Sequence, residues 1–398
     1  MPWKESSPMD QRTLFVADSL RALFSMTELC KRFGISRQSG YKWLARFQDE
    51  GPPGLVDRSR RPKSCPHQTP QSVVDALLEV RRRHPSWGAK KLLAILKRRH
   101  PGWSWPARST VCDILKRAGR IPPRRRRRRP GHPGKPQTPM TASNQIWTAD
   151  FKGQFLTGDG QYCYPLTVAD GFSRYILGCQ GLLSPSLKGT QAVFKHLFRE
   201  FGLPRIIRTD NGAPFATCAI RRLSRLSIWW IRLGIYPELI EPSHPEQNGR
   251  HERMHRTLKA ETARPPAPTC RAQQRRFDRF LDEFNNERPH EALGQQPPAS
   301  VYRPSSRRLP KRLPQVEYPL HYETRRVSRN GGIRWNHRWV NVGKVLEEQY
   351  IGLEEVDNGL WEVYFGPLKL GRLDERDYRI EDSRGRKRRR KVSPMSPD

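Results

Sequence analysis

Apolar residues recur in three regimes along the chain. From residue 12 to 50 the spacing is helical. Leu14, Val16, Leu20 and Leu23 recur, Thr27 can cap a short helix carrying Leu29, Cys30 and Phe33, and Ser36 can cap a third that turns Tyr41, Leu44 and Phe47 inward. Gly34 supplies the break between the last two helices, so the run reads as a helix-turn-helix. A second helical group follows, with Val73, Val74, Leu77 and Leu78, then Leu92, Leu93, Ile95 and Leu96, then Val111, Ile114 and Leu115. Ser109 or Thr110 can cap its last helix, and the group fits a second helix-turn-helix or a plain bundle.

From about residue 144 strands alternate with helices. Gln145 to Phe151, Tyr162 to Ala169 and Arg174 to Gln180 read as strands, separated by turns at Gly158-Asp159-Gly160 and Asp170-Gly171. A helix over 187–200, a strand from Arg205 to Thr209, a helix over 219–233, a strand from Ile235 to Ile240 and helices near 250–261 and 271–285 follow. Three strands in meander and then helix, strand, helix predict a mixed α/β sheet flanked by helices. Short strands return over 322–372, through Ile333, Trp335, Trp339, Val340, Val342, Trp361, Val363 and Phe365, as in a small SH3-like β-barrel. The expected division is therefore 1–60 and 61–122 as two all-α DNA-binding units, 123–143 a basic linker and 144–303 the α/β core. A linker over 304–321, the barrel over 322–376 and a basic tail over 377–398 complete it.

Charge changes this picture. Among 398 residues, 74 Lys and Arg oppose 39 Asp and Glu, a formal net charge of +35, which calls for a polyanionic partner. Double-stranded DNA fits, and the third helix would present Arg37, Gln38, Lys42 and Arg46 to bases and phosphates. Two charge runs, Arg124 to Arg129 and 384–391, and the Arg58-Ser59-Arg60-Arg61-Pro62-Lys63 linker repel themselves unless they meet phosphates, so Arg124, Arg125 and Arg126 join the expected DNA contacts. No stretch approaches a membrane span, and the N-terminus has no apolar signal core. Seven cysteines without a C-x-x-C pair argue against a disulfide framework or a Cys-based zinc module and fit a reducing cytoplasm.

Candidate chemistry rests on three acids. Asp150 and Asp210 each end a short apolar strand, and Glu252 lies on the helix that starts after Asn248-Gly249. Such a trio can hold Mg²⁺, or Mn²⁺ in its place, and two ions about 4 Å apart can serve phosphodiester displacement. Lys259, two turns after Glu252 on the same helical face, would clamp the backbone beside them. Asp170 ends a strand near Asp150, and an Asp-Gly turn explains it better than a metal does. His251-Glu252-Arg253-Met254-His255 also satisfies H-E-x-x-H, the zinc-protease pattern, which would leave the charge and the aspartate strands without a purpose.

The surroundings of the acids carry a resemblance. Trp147-Thr148-Ala149-Asp150-Phe151-Lys152, Thr209-Asp210-Asn211-Gly212 and Asn248-Gly249-Arg250-His251-Glu252-Arg253 with Lys259 resemble the retroviral-integrase-like core of DDE insertion-sequence transposases. Trp229-Trp230 and Asn285, Arg288-Pro289-His290 and Leu293-Gly294 add to it, as do Gly34-Ile35-Ser36-Arg37 and Trp87-Gly88. The resemblance implies an RNase H-like core, metal-dependent DNA cleavage and strand transfer at terminal inverted repeats, and the catalytic roles of Asp150, Asp210 and Glu252. Asn211, Asn248 and Arg256 beside them are further expected DNA contacts. A homo-oligomer on DNA, associated with a bacterial nucleoid, follows from acting at two DNA ends. Two features depart from the family. Asp210 and Glu252 stand 42 positions apart, with Glu246 as the rival at shorter spacing, and a helix-turn-helix replaces the N-terminal His/Cys zinc module of retroviral integrases. The alternative is a DNA-binding relative whose core is idle.

Overall fold

The computed structural model describes residues 7–59, 68–121, 138–241 and 245–381. Arg60 to Lys63, Arg124 to Arg129 (with Arg124, Arg125 and Arg126) and the 384–391 run lie outside them. Two compact units form, Met1–Pro70 and Gln71–Asp398.

In the first unit, helices α1 (Pro8–Leu20), α2 (Met26–Arg32) and α3 (Arg37–Glu50) close around Phe15, Val16, Leu29, Cys30 and Leu55. Ser36 caps α3 as the sequence predicts. The cap of α2 is Ser25, not Thr27, because Ser25 and Glu28 form a reciprocal capping box two residues earlier. Tyr41 is exposed rather than inward, and Leu14, Leu20 and Leu23 are exposed too. The inner stripe of α3 runs through Gly40, Leu44 and Phe47 instead, since a Cβ at residue 40 would meet Cys30 Sγ at 2.7 Å.

The second unit begins with α4 (Gln71–Arg83), α5 (Ala89–Arg99) and α6 (Arg108–Arg117) around Leu77, Trp87, Leu92, Leu96, Val111 and Leu115. Helix α6 starts at Arg108 behind Ala107, so Ser109 and Thr110 fall inside its first turn and cap nothing.

The α/β core has a mixed sheet. Strands β1 (Ile146–Phe151), β3 (Tyr162–Asp170) and β4 (Ile176–Leu182) are antiparallel neighbours with β3 central, and β5 (Ile206–Thr209) and β6 (Tyr236–Leu239) continue from β1 in parallel. A two-residue strand, β2 (Phe155–Leu156), pairs with the start of β3. One sheet face packs Trp147, Ala149, Leu166, Val168 and Ile207 against α7 (Leu187–Phe201) and α8 (Arg225–Arg232), with Phe194, Phe198, Leu226 and Trp230 between. On the other face Cys163, Ile176 and Cys179 lie under α9 (Gly249–Thr262) and α10 (Cys270–Asp282), through Met254, Leu258, Phe277, Phe280 and Phe284. Asn285 then pins the start of β4 with two 2.9 Å bonds, accepting from the Ile176 N–H and donating to its carbonyl. The helical group α4–α6 meets this side by polar contacts. His84 Nδ1 lies 2.8 Å from Glu283, Ser86 donates to Glu261 at 2.6 Å, Lys90 pairs with Glu291, and Arg98 reaches the Glu287 carbonyl.

After α11 (Pro298–Val301) an extended strap is clasped to the core. Arg307 gives its carbonyl to the Leu203 N–H at 2.7 Å and its guanidinium to the carbonyls of Pro204, Leu233 and Gly234. Gly202 has φ +78°, and a Cβ there would meet the Ser305 carbonyl at 2.6 Å, so only glycine lets the strap lie down.

The chain then forms the expected small β domain: β7 (Glu323–Arg326), β8 (Gly332–Trp335), β9 (Arg338–Asn341), β10 (Tyr350–Asp357), β11 (Leu360–Phe365), β12 (Leu368–Asp374) and β13 (Arg379–Glu381). A five-stranded antiparallel sheet in the order β13-β12-β11-β10-β7 and the β8–β9 hairpin share one core. That core includes Ile220, Leu223, Ile228 and Ile231 from the α/β unit, beside Trp335, Leu353, Val363 and Phe365. Helix α8 therefore serves two cores, Leu226 and Trp230 facing the mixed sheet and Ile228 and Ile231 facing the β domain.

A chain ending at residue 321 would leave that second face of α8 in water. It is expected to aggregate or bind a hydrophobic dye in size-exclusion and fluorescence assays, and Ile231→Ala in the full chain is expected to cost about 2–4 kcal/mol in urea unfolding. A monodisperse truncated chain with cooperative unfolding would show the α/β core to be self-sufficient.

Candidate active site

Pleating along β1 sends Trp147 and Ala149 to the apolar face and leaves Thr148 and Asp150 on the opposite one. Thr167 of β3 is the cross-strand partner of Asp150 and donates its hydroxyl to the Asp150 carbonyl at 3.1 Å. On the other side of β1, Ala149 is in register with Thr209 of parallel β5, so Asp210, one step further on, stands level with Asp150 at the same strand ends.

Burial pushes the Asp150 carboxyl up to about 7, with the Asp210 charge adding to the rise, the Lys152 ammonium and the Phe151 backbone opposing it, and Glu252 adding a smaller push. Asp210 is raised as well, by burial, against a 3.1 Å bond from the Gly212 N–H. All three acids thus share one electrostatic neighbourhood. They do not form a closed cage: among the described residues no three His, Cys, Asp or Glu side chains are grouped to hold a metal ion. The donor chemistry nonetheless fits a hard cation. The oxygens are carboxylate, and the Asp210 and Glu252 charges that add to the burial-driven rise of Asp150 are ones a cation would offset.

Glu252 owes its position to α9. The inward stripe of this helix is His251, Met254, His255, Leu258 and Thr262, all buried, while Glu252, Arg256 and Lys259 are exposed on the outer stripe. The H-E-x-x-H pattern is thereby split between two faces. Both nitrogens of His251 are occupied, Nδ1 with Thr148 Oγ1 at 2.9 Å and Nε2 with Thr167 Oγ1 at 2.6 Å, and His255 Nε2 meets the same Thr167 hydroxyl at 2.5 Å. Burial pushes both imidazoles down, His251 to about 3 and His255 to about 2, so they are neutral near pH 7. A zinc-protease reading fails on this geometry, because the histidines face the sheet and their glutamate faces away.

The remaining candidates divide. Asn248 is buried at 5% exposure, its side-chain oxygen without a hydrogen-bond partner. Asn211 is half-buried and donates to the Ile240 carbonyl at 2.9 Å, tying the Asp210 turn to the end of β6. Asp170 holds a turn, its carboxylate accepting from the Asn144 N–H and from the Ser173 N–H and hydroxyl. The backbone of Glu246 lies in a short 3₁₀ turn, Pro245–Asn248, ahead of α9. In the first unit Arg37, Gln38 and Lys42 are exposed on α3, and Arg46 is half-buried with its guanidinium 5.0 Å from the Trp43 ring. Thr148, Thr167 and the histidine pair were not expected at the site. Their signal is an i, i+4 His pair in phase with Met254 and Leu258, which marks them as an inward stripe.

Comparison with known proteins agrees with this architecture. The family described as an integrase core domain matches residues 140–245 and again 233–298, and homeodomain-like domain families match 9–56 and 39–115. An uncharacterized 39.2 kDa protein of insertion element IS476 from Xanthomonas euvesicatoria is 28% identical over 257 residues, covering 62% of this chain and 69% of that protein. The Gag-Pol polyprotein of avian reticuloendotheliosis virus is 32% identical over 128 residues, 31% of this chain but only 10% of the polyprotein. Among solved structures, the HTLV-2 integrase catalytic core domain in complex with magnesium aligns at 16% identity over 41% of this chain and 98% of its own, with a TM-score of 0.33. A simian T-cell lymphotropic virus intasome in complex with a PP2A regulatory subunit aligns at 16% identity over 74% and 97%, with a TM-score of 0.36. The integrase core family matches and the insertion-element protein bear out the resemblance to insertion-sequence transposases with an integrase-like core. Among the described residues no helix is long and apolar enough to cross a membrane.

The raised Asp150 carboxyl fixes a sign. Its proton is kept by the folded chain and released by the unfolded one between about pH 4 and 7, so it supports folding at low pH and that support is lost as pH rises through 7. Relative to Asp150→Asn, the wild-type chain in EDTA is expected to lose about 3 kcal/mol of stability between pH 5 and 8. Parallel urea-unfolding midpoints for the two proteins across that range would contradict it.

Proposed function

We propose that this chain, with its integrase core domain behind homeodomain-like helices, is an insertion-sequence transposase that cuts and joins DNA using Asp150, Asp210 and Glu252. The observation that carries the reading is the level placement of Asp150 and Asp210 on adjacent parallel strands, with Glu252 acting electrostatically on Asp150 from the outer stripe of α9. Asp150 and Asp210, with Glu252, would hold Mg²⁺ or Mn²⁺, which supplies positive charge to the attacking and departing oxygens.

The chain's own residues do the rest. Arg256 and Lys259, one and two turns after Glu252, offer cations to the phosphates of a strand lying along α9. Arg37, Gln38, Lys42 and Arg46 on α3 read the terminal repeat, with Tyr41 exposed among them. In the first reaction water attacks a phosphodiester, a new P–O bond forms, the bond to the 3′ oxygen breaks, and the strand leaves with a free 3′-hydroxyl. That hydroxyl then attacks a target phosphodiester in the same site, and its proton and the displaced oxygen balance the exchange. No side chain is covalently joined to DNA. Two ends are processed together, so the working form is a homo-oligomer on double-stranded DNA at the nucleoid of a bacterial cytoplasm.

A supercoiled plasmid bearing the element's terminal repeats tests this. The wild-type chain with Mg²⁺ or Mn²⁺ is expected to nick and join it, while Asp150→Ala and Glu252→Ala lose at least about a thousandfold in rate and keep terminus binding. Wild-type binding without nicking would make the chain an idle DNA-binding relative, and nicking by Asp150→Ala would reject the assignment of the acids.

A further inference from the structure

Helix α9 carries Glu252, yet little apolar surface holds its first two turns to the sheet. Its buried stripe starts with His251, reaches Met254 and His255, and gains a full aliphatic side chain only at Leu258. Its N-cap residue, Asn248, makes no side-chain cap bond. What the early turns do have is a buried polar knot. Thr167 Oγ1 contacts three partners, the Asp150 carbonyl at 3.1 Å, His251 Nε2 at 2.6 Å and His255 Nε2 at 2.5 Å. A hydroxyl has one proton and two lone pairs, so these three contacts use it completely when the carbonyl takes the proton and both imidazoles donate. Both rings then donate from Nε2, and His251 Nδ1 lies 2.9 Å from the Thr148 hydroxyl, which also reaches the Ala169 carbonyl at 3.3 Å. The two rings meet edge to face, their centroids 4.5 Å apart.

Three contacts of this knot join α9 to β1 and β3, the Thr167–Asp150 bond ties those two strands to each other, and Thr148 and Thr167 are, respectively, two residues from Asp150 and directly across from it. Apolar packing tolerates sliding, whereas a hydroxyl with all three valences used at about 2.5–3.1 Å does not. We propose that Thr167, His251 and His255, with Thr148, are positioning residues: this hydroxyl–imidazole network sets the register of α9 on the sheet and hence where Glu252 stands relative to Asp150. The inference rests on the reading of those acids as catalytic. It also gives the H-E-x-x-H sequence a purpose unrelated to zinc, since the histidines aim inward so that the glutamate aims out.

Thr167→Val removes the shared oxygen and keeps the shape, and Thr167→Ser keeps the oxygen. In Thr167→Val, amide exchange over 249–262 is expected to quicken about tenfold while α7 is unchanged, because two buried N–H groups lose their acceptor. Plasmid nicking should fall about tenfold or more in kcat with KM for terminus DNA within about twofold, and Thr167→Ser should stay within about threefold of wild type in both readouts. Should Thr167→Val fail to fold, Thr148→Val removes one bond of the same knot and reads the same exchange at smaller amplitude. Unchanged exchange over 249–262, or Thr167→Ser as impaired as Thr167→Val, overturns the proposal. If the wild-type chain does not nick at all, the transposase reading falls, and the exchange data still decide whether the network holds α9.

Discussion

The two-residue alternation of β1 is the constraint on which the site depends. Because Trp147 and Ala149 must reach the core shared with α7 and α8, Thr148 and Asp150 are forced onto the opposite face of the sheet. Parallel pairing with β5 then brings Asp210 level with Asp150 without any separate device. A carboxylate at a strand end is held by the ladder on both sides, so its position is as rigid as the sheet. The cost is a polar patch under a packing helix. The Thr148 and Thr167 hydroxyls donate to the Ala169 and Asp150 carbonyls, and α9 meets their remaining capacity with imidazoles, which a leucine or phenylalanine could not do.

The same economy appears in α8. A helix of eight residues has surface enough for one core, but Leu226 and Trp230 face the mixed sheet while Ile228 and Ile231 face the β domain. The stretch between Asp210 and α8 takes part as well, since Ile220 and Leu223 enter the β-domain core. The long interval between the second and third acids is therefore structural material, and the β domain is built onto the α/β core by shared apolar burial, with the Arg307 strap clasped to that core.

Strand and helix periodicity made the order of elements readable, along with the three acids and the outward basic stripe of α3. What periodicity could not deliver is informative. Helical spacing alone turns Tyr41 inward, but Gly40 sits where α2 crosses α3, and a close helix crossing rotates the buried face by one residue. Thr27 lost the cap to Ser25 because Ser25 has Glu28 three residues on, a pattern present in the sequence and decisive once both bonds are drawn. Asn248 and Asn211 are read as DNA contacts from their place in motifs, and the fold buries the first and uses the second to tie a turn. Asn285, Trp230 and Arg288, landmarks of the family resemblance, likewise hold β4, fill the core and pair with Glu261. Motif membership nominates residues; it does not separate chemistry from scaffolding, because burial and partner geometry are three-dimensional.

The two attachments to the α/β core differ in kind. The β domain is joined by apolar burial, which salt does not weaken. The α4–α6 group is joined through His84, Ser86, Lys90 and Arg98 against Glu283, Glu261, Glu291 and the Glu287 carbonyl, contacts of ionic and hydrogen-bonding type at the rim. Of these the Lys90–Glu291 ion pair is exposed, worth little and screened at physiological ionic strength, whereas His84 is buried against Glu283. In a chain of net charge +35, moreover, Lys90 and Arg98 are cations that a DNA phosphate would also satisfy. The C-terminal join is thus apolar and the helical one polar, so salt acts on the second and spares the first.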